Sequence, residues 1–298
     1  MAVHVSVLLK ESVDYLAIEP NGKYVDATFG SGGHSREIAS RLSQGHVYAF
    51  DQDSDASDSF SGAEKITLIR SNFRFLSNFL RYHHALPVNG ILADLGISSH
   101  HIETPERGFS FRFDAPLDMR MNVLSKKTAH DVVNSYSVEE LTRIFRQYGE
   151  IAKAFNLAKA IEKQRMHKSV NTTFELAGIA QNFTQKNKEN SFLAQVFQAI
   201  RIEVNQELEV LEQFLNQAYE CLMPGGRLVV ISYHSLEDRM IKNFFKSVLP
   251  SDSFSENIMG TRNFRWNNIT SGADTPTEAE IIQNPRSRSA KLRAAEKI

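Results

Sequence analysis

Three acids and a run of glycines mark where chemistry can sit in this chain. Tyr24-Val25-Asp26 is a short, β-prone run that ends in an acid, and Thr28-Phe29-Gly30-Ser31-Gly32-Gly33-His34 follows closely. Ile38, Ala39 and Leu42 then share one helical face. Strand, tight turn and helix in that order open a nucleotide-binding α/β fold. Glycine suits such a turn because it tolerates φ > 0 and lets a bulky ligand lie against the backbone. The acid precedes the glycines, so the spacing departs from the dinucleotide pattern G-x-G-x-x-G. A second acid, Asp51, ends the strand-like run His46-Val47-Tyr48-Ala49-Phe50 about 20 residues further on, where a carboxylate can accept hydrogen bonds from ribose hydroxyls. Asp53 is its near rival. A third, Asp94, ends the apolar run Val88–Ala93, where burying an acid without a partner is costly. His234 lies in Tyr233-His234-Ser235-Leu236-Glu237-Asp238, with Ser235 and Asp238 spaced as a capping box. Each also has an ordinary reading: a turn acid for Asp51, a cap for Asp94, a hydrogen-bonded core histidine for His234.

The elements that must position these residues follow from pattern. Strand and helix signals alternate up to about Ser99, and the chemistry is expected at the carboxyl ends of the strands. His100 to Asn122 has no clear period and reads as a long loop, ordered because Phe109, Phe111, Phe113, Met119 and Met121 crowd it. Helical patterns follow: one capped by Ser137 with Glu140, one over Ile151 to Ile161, one capped by Thr173. The last and longest carries Val196, Ile200, Val204, Leu208, Leu211, Leu215 and Leu222, and Pro224-Gly225-Gly226 is expected to end it. A strand resumes at Arg227 to Ser232. The expected fold is an α/β, Rossmann-like core interrupted by an all-helical insertion. Residues 1–105 give the first part of the core, 106–205 the insertion, and 206–298 the remainder with a basic tail.

Composition narrows the class. Lys and Arg number 34 against 35 Asp and Glu, a formal net charge of −1, so any surface for nucleic acid must be local. A single cysteine, Cys221, excludes an internal disulfide framework and suits a reducing compartment. Nothing resembles a signal peptide and no apolar run is long enough for a membrane span, so a cytoplasmic protein without a membrane partner is expected.

The motifs together carry a resemblance. The acid-before-glycine loop has the form seen in S-adenosylmethionine-dependent methyltransferases. Added to it are Asp94-Leu95-Gly96-Ile97-Ser98-Ser99, Arg107-Gly108-Phe109-Ser110-Phe111, Pro116-Leu117-Asp118-Met119-Arg120-Met121, Phe197-Gln198-Ala199-Ile200-Arg201-Ile202, His234-Ser235-Leu236-Glu237-Asp238-Arg239 and Asn284-Pro285-Arg286-Ser287-Arg288-Ser289. In this order, and across nearly the whole chain, they resemble the bacterial small-subunit rRNA cytosine-N4 methyltransferase family. The resemblance implies a class I methyltransferase core, S-adenosylmethionine as cofactor, and methylation of a 16S rRNA cytidine in the decoding region of the 30S subunit. It places Gly32, Gly33 and His34 on the methionine side of the cofactor, Asp51 at the ribose, Phe73 near the adenine and Asp94 beside the cofactor. His101 stands where many members carry glutamine. Tyr233, often phenylalanine in the family, Ser31, often arginine, and Ala115, often glycine, are milder departures.

Catalytic roles are expected of Asp94, Ser98 and His234, as acceptors near the target amine or as contacts to the base edge. A phenylalanine of the Arg107–Phe113 loop is a candidate to stack on that base. No metal is expected, and a homodimer is kept open. Arg286, Arg288, Lys291 and Arg293, with Lys159, Lys163, Arg165, His167 and Lys168, are candidate phosphate partners, though a solvated face explains them nearly as well. Two other classes compete: a dehydrogenase, which the glycine spacing disfavours, and a binding factor that merely keeps the cofactor pocket.

Overall fold

The computed structural model describes residues 6–53, 62–97, 103–247 and 265–298. Seven strands form one sheet: β1 (Lys23–Asp26), β2 (His46–Asp51), β3 (Ile66–Arg70), β4 (Val88–Asp94), β5 (Leu222–Ser232), β6 (Trp266–Asn268) and β7 (Lys291–Lys297). Their order is β3-β2-β1-β4-β5-β7-β6, with β1 to β5 parallel and β7 antiparallel to both neighbours. Side chains alternate between two apolar layers, as strand geometry requires. Tyr24, Val47, Leu92 and Val229 join one layer with Val13 and Ile38. Val25, Phe50, Ile91 and Val230 join the other with Leu80, Phe214 and Ile241. Covering both faces explains why the central strands read as nearly unbroken apolar runs. This strand order is that of a class I methyltransferase core, and its direction reverses between β1 and β4. There the strands' carboxyl ends open a crevice suited to a ligand.

Contacts divide the chain into two compact units, one built from residues 1–96 and 209–298, the other from 97–208. The second unit has its own core, in which Leu141, Ile144, Phe145, Leu157, Ile161, Leu176, Val196 and Ile200 are buried. Its helices are Ala129–Ser135, Val138–Gln147, Ala154–Arg165, Thr173–Gln181 and Glu189–Asn205. The loop expected to be ordered by its aromatics contributes Phe109, Met119 and Met121 to that core. Arg107 is buried too, and its guanidinium donates to the carbonyls of Arg120 and Met121. Among the described residues no helix is long and apolar enough to cross a membrane.

Several local expectations shift. Ser137 and Glu140 do form a capping box, but the next cap is Thr172 with Glu175, one residue ahead of Thr173. The single long helix is two, Glu189–Asn205 and Glu207–Cys221, broken at Gln206 with φ of 54°. Both halves keep an apolar stripe in phase, so periodicity does not register the break. Asn205 shows the local cause: its amide donates to Met119 and Arg201 carbonyls and accepts from the Met121 amide. Pro224-Gly225-Gly226 does not end the helix, which stops at Cys221. It forms an irregularity inside β5, where the pairing with β4 jumps from Val88↔Leu222 to Gly90↔Arg227.

Arg165, grouped by sequence with the phosphate-binding cations, is committed elsewhere. Its guanidinium donates to the carbonyls of Val133 and Tyr136 at 2.8 and 2.6 Å, closing the end of helix Ala129–Ser135. Removing a charged donor from carbonyls that depend on it costs about 1–3 kcal/mol. Arg165→Ala is therefore expected to lower the unfolding free energy by that margin and the urea midpoint with it, and an unchanged midpoint would refute the capping role.

Candidate active site

The glycine loop is tied down from three directions. Asp26, fully buried at the end of β1, accepts from the Thr28 amide through Oδ1 and from Ser35 Oγ through Oδ2. It thereby holds the turn against the first turn of helix Gly33–Ser40. The Thr28 hydroxyl accepts the Asp94 amide at 2.7 Å, joining the loop to the end of β4. The Gly30 amide donates to Asp51 Oδ2 at 2.8 Å, joining it to the end of β2. Asp51 Oδ1 in turn accepts the Asp53 amide, while Asp53 itself is buried. Gly32 is the N-cap, and Gly33 and His34 begin the helix.

The side chain on which most groups converge is Asp94, 21% exposed. Tyr233 Oη donates to its Oδ1 at 2.7 Å, and His34 Nδ1 lies 4.0 Å from its Oδ2. Burial pushes the Asp94 carboxyl up to about 6; His34 and the Tyr233 hydroxyl oppose the rise, whereas Asp26 and Glu237 add to it. Burial, followed by the Asp94 charge, holds Tyr233 well above an ordinary phenol, so its hydroxyl stays a donor.

His234 is where the strand–helix junction was expected, but it is itself the cap of helix Ser235–Phe245, partnered by Glu237 rather than by the Ser235–Asp238 pair. Its Nδ1 accepts the Glu237 amide, and its Nε2 lies 3.2 Å from Glu237 Oε1. The Glu237 carboxylate also accepts the Tyr233 and His234 amides. Phe73 begins a short 3-10 turn after β3, half-buried, its ring edge-on to Phe214 with centroids 5.1 Å apart. Ser98 and His101 lie outside the described residues.

The carboxyl ends of β1, β2 and β4 thus hold the glycine loop, Asp51 and Asp94 in one bonded network, with His34 beside Asp94. Sequence reasoning missed two members of it. Tyr233 stood only as a mild departure from the resembling family, yet among the described residues its hydroxyl is the nearest side-chain donor to the Asp94 carboxylate. Thr28 was part of a motif with no assigned task. The available signal was a hydroxyl-bearing residue directly after a strand that ends opposite an acid.

These residues fit a ligand of S-adenosylmethionine's kind. A Cβ at Gly30 would meet nothing within 4 Å, so the loop presents an open backbone face beside the Asp51 carboxylate. Over its full length, residues 1–298, the chain matches the MraW methylase family. It is 52% identical over 298 residues to a Bacteroides thetaiotaomicron protein named ribosomal RNA small subunit methyltransferase H, covering 100% of this chain and 98% of the relative. A Parabacteroides distasonis protein of the same name is 49% identical over 297 residues, covering 99% and 97%. An rRNA methylase structure from Streptococcus thermophilus aligns over 99% of both chains at 14% identity, with a TM-score of 0.45. The fold and the comparisons define a methyltransferase that uses S-adenosylmethionine. The chain belongs to the MraW methylase family.

The raised Asp94 value has a sign for stability. A carboxyl whose folded value lies above its unfolded 3.8 favours folding at low pH, and that contribution is lost as pH rises through about 6. Asp94→Asn keeps an acceptor for Tyr233 and removes the charge. At pH 8 it is expected to be more stable than wild type by about 3 kcal/mol. Below pH 4 the two should converge in denaturant titrations; a variant less stable at every pH contradicts the assignment.

Proposed function

We propose that this chain transfers the methyl group of S-adenosylmethionine to the exocyclic N4 amine of a cytidine in the decoding region of 16S rRNA, within the small ribosomal subunit. The name shared by the relatives supports rRNA of the small subunit as substrate. The observation that carries the chemistry is Asp94, a largely buried carboxylate at the switch point with Tyr233 and His34 beside it. The bound cofactor supplies an electrophilic methyl on a sulfonium centre. The work left to the protein is then orientation and acceptance of a proton.

The cytosine amine is a poor nucleophile because its lone pair is delocalised into the ring. Asp94, accepting from an amine N–H, favours the pyramidal nitrogen that attacks and takes the proton that nitrogen sheds. At about 6 its carboxyl is ionised at neutral pH yet more basic than a surface acid. Tyr233 holds one carboxylate oxygen in place. His234 positions Tyr233 through their shared partner Glu237. Asp51 and the Gly30–His34 loop hold the cofactor, with Phe73 beside its base. Ser98 and His101 complete the proposed set. The target base must leave its stack to reach the site. Of the loop phenylalanines, Phe109 is buried and Phe111 packs edge-on against Phe197, while Phe113 keeps 47% of its surface exposed and is the ring with a face to offer.

Methylation at C5 is disfavoured because it needs an attacking cysteine. Cys221 is buried in a helix, and burial pushes its thiol up to about 11.

Incubating the protein with methyl-tritiated S-adenosylmethionine and 30S subunits lacking the modification should label 16S rRNA, with N4-methylcytidine as the product by mass spectrometry. No incorporation would favour a binding factor; label at another atom would sink the N4 assignment. Asp94→Ala should lower kcat by about 10²–10⁴-fold. Tyr233→Phe removes a hydrogen bond that lowers the Asp94 value, so the acid limb of its rate–pH profile should move to higher pH. An unmoved limb would separate Asp94 from the proton step.

A further inference from the structure

We infer that Glu280 is a positioning residue for the active site, acting on His34 through the peptide group that joins Val7 to Leu8. The inference rests on the proposed roles of His34 and Asp94. The Leu8 N–H donates to Glu280 Oε1 at 2.8 Å, and the Val7 carbonyl lies 3.2 Å from His34 Nε2. These are the two ends of one peptide group. A carboxylate on the N–H end polarises the carbonyl at the other and strengthens the bond it accepts. A carbonyl has no proton to give, so Nε2 carries one and donates to it, which sets the ring with Nδ1 toward Asp94 Oδ2, 4.0 Å away.

The backbone shows that this peptide is held in place. Leu8 has φ of 48°, a left-handed conformation that is unfavourable for a residue other than glycine. Glu280 fixes its N–H, and its carbonyl is fixed by the Ser12 amide and hydroxyl. Ser6, just before, is seated against the cofactor loop: a Cβ at Gly33 would collide with Ser6 Oγ. Glu280 lies 272 residues from Leu8 in sequence, in helix Glu278–Gln283, its own amide capped by Thr277. A residue far along the chain therefore orients His34, in helix Gly33–Ser40.

Other charged and titratable groups face this pair. Asp26 bonds Thr28 and Ser35, Glu237 bonds the Tyr233 and His234 amides, and Tyr233 bonds Asp94. Asp94 remains the acid toward which Nδ1 is turned. Through the Val7 carbonyl, Glu280 holds the ring so that Nδ1 stays beside Asp94 Oδ2. Losing Glu280 should loosen the ring and shift the acid limb of turnover upward in pH, because His34 beside Asp94 lowers the Asp94 value.

The test compares wild type, Glu280→Gln and Glu280→Ala by ¹⁵N-histidine NMR on the full-length protein without ligands, with His34 assigned by His34→Gln. Wild type should show one neutral tautomer, protonated at Nε2. Glu280→Gln keeps an acceptor oxygen and should keep the tautomer, with the Nε2 proton moved upfield. Glu280→Ala should mix tautomers, lower kcat about 10-fold and raise the acid-limb midpoint, leaving the KM for 30S subunits unchanged. A wild-type tautomer in Glu280→Ala, or an unmoved Nε2 proton in Glu280→Gln, overturns the inference, including where only the melting temperature falls. The NMR result decides it even if 30S subunits prove not to be the substrate.

Discussion

A carboxylate must stay charged where most of its water has been removed, and the open end of the sheet is arranged around that constraint. Desolvating Asp94 disfavours its ionised form, and two acids nearby, Asp26 and Glu237, make matters worse. The compensation is sparse: one phenol hydroxyl at 2.7 Å and one imidazole nitrogen at 4.0 Å. A fully paired carboxylate would be stable and a poor base. An unpaired one would titrate higher still, since both partners lower its value. The observed balance leaves a value of about 6, ionised at neutral pH yet still basic, which is what a proton acceptor for a weakly acidic amine requires.

Such a balance survives only if its neighbours cannot drift, which explains the stitching between distant segments. Thr28 joins β1 to β4, Gly30 joins the loop to Asp51, and Glu237 secures Tyr233 from the following helix. The N-terminal segment is part of the same arrangement, since the Val7 carbonyl meets His34 and Ser6 occupies the space beside Gly33. Asp26, the acid that first drew attention in the loop, faces none of the open space. It is consumed in holding the turn.

The sheet and the strand-end acids were legible because burial on both faces leaves long apolar runs, and an acid closing such a run stands out. What escaped was one-residue geometry. Capping depends on which residue leaves helical φ and ψ, so Thr172 and His234 displaced Thr173 and Ser235 while the pattern stayed the same. The break at Gln206 leaves no glycine or proline to signal it. The partners of Asp94 were harder still, because Tyr233 lies 139 positions away and only the parallel pairing of β4 with β5 brings them together.

Charge tells a related story about the proposed RNA substrate. Sequence offered two basic clusters, yet side chains in both are already committed. Lys291 and Arg293 bond Asp238, Arg165 caps a helix, and Lys168 pairs with Glu175. On the proposed RNA function, cations already paired within the protein give less to phosphate than free ones, which lowers non-specific affinity and makes the salt dependence shallower. On the same proposal, more of the discrimination falls to the shape of the folded RNA and to seating one extruded base. That places the burden of specificity on the same crevice that carries the chemistry. A base that fails to bring its amine to Asp94 gains little from the rest of the surface.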